Sequence, residues 1–99
     1  MVRPLRTIVT STHRITLNPV TVLMVTDNAV GWLYTTYDVY HNFAHIGSAI
    51  NRPTGQLISM IQNHEVDKVI QVGYTGRKTQ IVQEAELLDM DVLLIRNME

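Results

Sequence analysis

Residues 66–96 read VDKVIQVGYTGRKTQIVQEAELLDMDVLLIR, which indicates a strand, a helix and a second strand in succession. Residues 69–72 and 92–95 are nearly continuous apolar runs, typical of strands that are buried on both faces. About eighteen residues separate the two runs, the length expected of a right-handed crossover between parallel strands. The stretch therefore predicts a parallel βαβ unit whose helix covers residues 79–90.

The residues before this unit have the composition of three further strands. Residues 20–25 form another apolar run, whereas residues 6–17 are rich in Thr, Ile and Val. Residues 30–37 fit a strand, in which successive side chains would lie on opposite faces. Turn-forming residues separate the three segments, so we expect a three-stranded antiparallel meander.

Two helices are predicted between the meander and the βαβ unit. Val39, Phe43, Ile46 and Ile50 recur at helical spacing, which predicts a helix over 38–50 with Asp38 as its N-cap. A second apolar stripe consists of Leu57, Ile58, Met60 and Ile61, and it predicts a helix from Thr54, again as N-cap, to about Asn63. The expected fold class is α/β (mixed α+β), with one mixed sheet in a single domain over residues 1–99.

The composition limits the classes of function. Hydrophobic residues make up 45% of the 99 residues and charged residues only 17%, so we expect some apolar surface to be covered in a homo-oligomer. A net charge of -1 argues against a general duplex-DNA binder. The absence of cysteine excludes disulfides and thiolate metal sites, and it fits a cytoplasmic protein. No apolar run approaches the ~20 residues of a membrane-spanning helix, so no membrane partner is expected.

The turn after the first apolar run of the βαβ unit is the best candidate for a ligand site. It consists of Tyr74, Thr75, Gly76, Arg77, Lys78 and Thr79. The Walker pattern needs four residues between its glycines and a Gly-Lys-Ser/Thr ending, and this turn has neither. The dinucleotide fingerprint G-x-G-x-x-G is also absent. No cofactor is therefore predicted.

Two cations at the start of a helix are unfavourable unless an anion is bound there. Arg77 and Lys78 oppose the helix dipole by about 0.3–1 kcal/mol each. A phosphate held by the backbone N–H groups and these cations would offset that cost. Tyr74 could cover such a ligand, and Arg14 is a more distant candidate contact. The alternative is a plain strand-to-helix connection that Thr75 or Thr79 caps, with solvated cations.

A row of Asp38, His41 and His45 would share one face of the helix predicted over 38–50. Such a row could bind zinc in a metal-dependent hydrolase, with His64 as a further candidate. However, Asn42 stands where the common zinc-hydrolase motif has a glutamate. Without a cysteine or an evident fourth ligand, the sequence favours no metal site.

We therefore expect a non-enzymatic binding module for a small phosphate-bearing ligand, a nucleotide or a nucleotide-derived signal, that acts as a homo-oligomer. The first alternative is a small accessory or viral protein that inhibits a protein partner through its Trp- and Tyr-rich strand and the 38–50 helix. The metal-dependent hydrolase is the second alternative.

Overall fold

A computed structural model describes residues 7–10, 19–26, 30–37, 43–49 and 52–96. Within these ranges the chain forms six strands and two helices. The strands are β1 (Thr7–Thr10), β2 (Val20–Val25), β3 (Gly31–Thr36), β4 (Phe43–Ser48), β5 (Lys68–Tyr74) and β6 (Asp91–Arg96), and the helices are α1 (Thr54–Gln62) and α2 (Gln80–Leu87).

All six strands belong to one sheet, in the order β1-β6-β5-β2-β3-β4. The first four strands in this order are parallel to one another, whereas β3 and β4 are antiparallel to their neighbours. The mixed sheet that the sequence predicts is therefore confirmed.

The βαβ unit lies where the sequence places it. β5 and β6 are adjacent and parallel, with Val69 opposite Val92 and Val72 opposite Ile95, and α2 connects them. Four consecutive residues of β6, from Val92 to Ile95, are buried. Burial on both faces of the sheet explains why these strands are apolar runs rather than alternating patterns.

The predicted meander is only half correct. Residues 7–10 do form a strand, but β1 pairs in parallel with β6, Thr7 opposite Val92, and not with β2. The antiparallel part of the sheet is instead β2-β3-β4, and residues 11–18 lie outside the described ranges. Strand composition is a local property, whereas the partner of a strand is decided by distant residues. Here β1, the first described strand, pairs with the side of β6 that β5 does not occupy.

The helix predicted over 38–50 is wrong where the structure describes it. Residues 43–48 form β4, with Thr36 opposite Phe43 and Tyr34 opposite His45. The register then shifts so that Leu33 lies opposite Gly47, which leaves Ile46 as the extra residue of a β-bulge. Phe43 packs against buried residues of the sheet, whereas Ile46 is 55% exposed, so the helical spacing of these two residues does not mark one buried face.

The two observed helices are close to their predicted positions, but their caps differ. Of the two predicted caps, Thr75 and Thr79, it is Thr79 that caps α2. Its side chain accepts a hydrogen bond from the Val82 N–H. In contrast, the N-cap of α1 is Pro53 rather than Thr54, and no side chain caps this helix. Proline fits this position because its ring fixes φ near the value that precedes a helix, and its φ here is -60°.

Both helices pack on the same face of the sheet, which we call the helix face. Its core contains Leu23, Leu57, Ile61, Val69, Ile81, Val82, Ala85 and Leu94 among other buried residues. The opposite face carries a smaller cluster of Val22, Ile70, Leu93 and Ile95. Each helix runs antiparallel to β5, which α1 precedes and α2 follows. The first turns of both helices therefore lie at the end of the sheet where β5 and β6 end.

Shortening a buried leucine of α1 should destabilise the fold, whereas the same change on the surface of α2 should not. Leu57 is 0% exposed and Leu87 is 80% exposed. We expect Leu57→Ala to lower the free energy of unfolding by about 2–5 kcal/mol because it leaves a cavity. Leu87→Ala should change it by less than about 0.5 kcal/mol. Urea denaturation measures both values, and similar losses in the two variants would contradict the described packing.

Candidate functional site

The loop of residues 75–79 lies at the carboxyl end of the sheet, which we define by the last residues of three parallel strands, Val25, Tyr74 and Arg96. From β2 the chain continues to β3 on one side in the sheet, whereas from β5 it continues to β6 on the other side. In open α/β sheets, ligands bind outside the carboxyl ends of the parallel strands. The loop is thus located where this type of sheet forms ligand sites.

A glycine bulge at the end of β5 determines where Tyr74 lies. Gly73 has a φ of 74°, and the pairing with β6 shifts between Val72 and Tyr74 so that Gly73 has no opposite residue. Val72 packs with the cluster on the opposite face, whereas Tyr74, two residues later, packs against the helix-face core. The bulge therefore places the half-buried Tyr74 on the helix face, immediately before the loop.

The side chain of Gln71 holds the loop to the strand. Gln71 is 0% exposed, and its Oε1 accepts a hydrogen bond of 3.0 Å from the Thr79 N–H. Its Nε2 donates a hydrogen bond of 2.9 Å to the carbonyl oxygen of Arg77. A buried amide without partners would cost about 1–3 kcal/mol. The two bonds therefore stabilise one conformation of residues 77–79.

The side chain of Lys78 is paired within the chain. Its ammonium forms an ion pair of 2.8 Å with Glu86, in the second turn of α2. Glu86 follows the N-cap, Thr79, by seven residues, or about 10 Å of helix. The ion pair therefore directs the ammonium of Lys78 along α2 and away from the loop. In addition, the Gln83 side chain donates to the carbonyl oxygen of Lys78 at 3.1 Å. Lys78 therefore contributes mainly to the contact between the loop and α2.

Arg77 is the cation that the loop leaves free. Its residue is exposed, and the structure describes no hydrogen bond or ion pair of its guanidinium group. The backbone N–H groups of Gly76, Arg77 and Lys78 likewise have no acceptor in the described part of the chain. Gly76 has a φ of 109°, and nothing lies within 4 Å of the position where a Cβ would be. The loop thus offers an open backbone and one unpaired guanidinium.

Of the other residues that the sequence nominates, those that the structure describes are not at this loop. Arg14, Asp38 and His41 lie outside the described ranges. His45 is in β4, where its ring contacts Tyr34 with the centroids 5.4 Å apart. His64 follows α1 at its far end. The described residues contain no group of three or more potential metal ligands, and His45 lies in β4 rather than in the predicted helix.

Three residues that the structure places near the loop or at the same end of the sheet are not named as candidates by the sequence analysis. Gln71 interrupts an otherwise apolar run, which is the only local sign of its role. Arg96 ends β6, in register with Tyr74. Arg52 is placed at the same end by two backbone bonds, from Arg52 N–H to Ala49 O and from Ala49 N–H to Gly31 O. A cation directly after an apolar strand is a signal that could have identified Arg96.

Charges are unevenly distributed between the two ends of the sheet. Glu65, Asp67, Asp89 and Asp91 lie at the opposite end, where β5 and β6 begin, and Asp67 accepts a hydrogen bond from the Thr21 N–H there. The exposed Arg52, Arg77 and Arg96 are at the carboxyl end. Asp27 and Glu99 lie outside the described ranges. In the described residues the carboxyl end is therefore cationic.

Comparisons of the chain with known protein families, curated proteins and solved structures found no match. In the described ranges, neither helix has the length and apolar character that crossing a bilayer requires.

Replacing Gln71 with methionine should weaken the attachment of the loop. Gln71→Met keeps the length of the side chain but leaves the buried Thr79 N–H without its acceptor. We expect a loss of about 1–3 kcal/mol in the free energy of unfolding and faster hydrogen exchange at the Thr79 amide.

Gln83→Met is the matched control, because Gln83 also donates to a loop carbonyl but is exposed, so that water can replace it. Its effect should stay below about 0.5 kcal/mol. Equal stability and equal Thr79 exchange in the two variants would contradict the role assigned to Gln71.

Proposed function

We propose that this protein is a non-enzymatic binding module for a small phosphate-bearing ligand, a nucleotide or a nucleotide-derived signal. The ligand's phosphate binds at the loop of residues 75–79. The single observation that carries the proposal is the exposed, unpaired guanidinium of Arg77, next to backbone N–H groups that have no acceptor in the described chain.

The rigidity of the loop supports binding. Gln71 holds residues 77–79 from the strand, and Thr79 caps the helix that follows. A loop that is already ordered loses little conformational entropy when the ligand arrives, so more of the contact energy is available as affinity.

Each loop residue has a distinct part in this proposal. Arg77 binds the phosphate, because a planar guanidinium can donate two parallel hydrogen bonds to its oxygens. The N–H groups of Gly76 and Lys78 add further donors, and the Thr75 hydroxyl lies in the same exposed turn. Tyr74 covers one side of the ligand. Thr79 acts through the helix cap rather than by direct contact, and Arg14 stays a proposed distant contact.

The chemistry of the loop favours binding without turnover. Residues 74–79 include no carboxylate, histidine or cysteine that could act as a general base or nucleophile. The high apolar content supports a homo-oligomer, and the lack of cysteine fits the reducing cytoplasm.

A second candidate function, inhibition of a protein partner as a small accessory or viral protein, is favoured by the β4 side of the sheet. β4 is at the end of the strand order and has no Lys, Arg, Asp or Glu. Its Ile46 is 55% exposed, and Tyr37, after β3, is 53% exposed. Uncharged edge strands with exposed apolar side chains can pair with other chains, although the bulge at Ile46 opposes this.

Removing the Arg77 guanidinium should abolish most of the phosphate binding. We expect Arg77→Ala to weaken the binding of inorganic phosphate and of nucleotides by about 10–100-fold, because a hydrogen bond to a charged group contributes about 1.5–3 kcal/mol. Thermal shift across a nucleotide panel and isothermal titration calorimetry measure the loss.

Lys78→Met is the matched control, since it removes a cation that Glu86 already neutralises. Its binding should stay within about threefold of the wild type. Equal losses in both variants would indicate a general charge effect, and the absence of any phosphate or nucleotide binding, with a protein retained in pull-down, would favour the inhibitor function.

A further inference from the structure

The three arginines at the carboxyl end of the sheet differ from the described lysines in having no partner. Lys68 lies 3.7 Å from Asp91, and Lys78 lies 2.8 Å from Glu86. In contrast, Arg52, Arg77 and Arg96 are all exposed, and the structure describes no hydrogen bond or ion pair of any of their guanidinium groups. Both described lysines are thus paired with carboxylates, whereas the three described arginines form a separate group of positive charges.

Two of these arginines lie where neighbouring strands end, Arg77 in the loop after β5 and Arg96 as the last residue of β6. Arg96 is the register partner of Tyr74, about one strand spacing, roughly 5 Å, away, and Arg77 follows Tyr74 by three residues. By alternation from Ile95, which packs on the opposite face, Arg96 projects on the helix face, as Tyr74 does. Arg96 and Tyr74 therefore lie side by side on the helix face, where β5 continues into the loop that carries Arg77.

Arg52 extends this group across the sheet. Its N–H bonds to Ala49, whose own N–H bonds to Gly31 at the beginning of β3. Arg52 lies between the end of β4 and the start of α1, so it is displaced from the loop across the sheet. A guanidinium in this position reaches the remote part of a ligand rather than the group bound by Arg77.

The charge of this group exceeds that of one phosphate. A phosphate monoester carries about −1.5 to −2 at pH 7, whereas three guanidinium groups carry three positive charges. We propose that the ligand carries at least two linked phosphate groups, as a nucleoside diphosphate does, with Arg77 on one phosphate and Arg96 on the next. This inference rests on the proposed function and names the class of ligand at the same site.

The arrangement suits a diphosphate because each guanidinium presents its own pair of N–H donors. Two arginines at the ends of neighbouring strands, each with a long side chain, can each take one phosphate in bidentate fashion. The ligand also relieves the repulsion between the like charges at this end of the sheet. Tyr74, beside Arg96, then contacts the part of the ligand that joins or follows the phosphates.

Calorimetric titration with inorganic phosphate, pyrophosphate, AMP and ADP tests the inference on the full chain. We expect pyrophosphate to bind at least tenfold more tightly than phosphate, and ADP at least tenfold more tightly than AMP. Arg96→Ala and Arg96→Gln should both remove this preference for two phosphates while leaving AMP binding within about threefold. Lys68→Met removes one cation at the opposite end of the sheet and should leave the preference unchanged. Thermal melting establishes that each variant is folded.

The outcomes separate the inference from the proposed function. If phosphate and AMP bind in a manner that depends on Arg77 but pyrophosphate and ADP bind no more tightly, the two-phosphate ligand is wrong and the phosphate site stands. If the preference persists in both Arg96 variants, or falls equally in Lys68→Met, the assignment of Arg96 is overturned. If none of the four probes binds, the phosphate site itself is wrong, and the inference with it.

Discussion

The carboxamide of Gln71 joins the end of β5, the loop after it and the first turn of α2 in one arrangement. Its oxygen accepts from Thr79 and its nitrogen donates to Arg77, inside a region where the amide is fully buried. Because breaking either bond would leave a buried polar group without a partner, the loop conformation is tied to the folded core. The open backbone at Gly76 and the free guanidinium of Arg77 depend on this attachment.

The distribution of charge follows from the same topology. Parallel strands bring their carboxyl ends to one side, so residues that follow β5 and β6 meet there although they are far apart in sequence. The described acidic residues that precede these strands gather at the other end, where Lys68 pairs with Asp91. A chain with a net charge of only -1 can therefore present a cationic end that its total charge does not reveal.

The βαβ unit was predictable because its signals are local: two apolar runs, a glycine-containing turn and a helical pattern between them. The position of the loop of residues 75–79 was predictable for the same reason, and Thr79 was among the expected caps. β4 was not, because its pairing with β3 joins distant residues and the helical spacing of Phe43 and Ile46 does not mark one buried face. The roles of Lys78 and Gln71 were also missed, since both depend on which side chains the fold places within hydrogen-bonding distance.

The sequence alone determined that this chain has a parallel βαβ unit with a basic turn, because burial on both faces requires continuous apolar strands and a turn favours glycine where φ is positive, as at Gly73 and Gly76. Only the tertiary structure decided the partner of β1, the strand at 43–48, and which cations are neutralised. The physical reason is that strand pairing and ion pairing join residues distant in sequence, and their energies depend on geometry that no local pattern encodes.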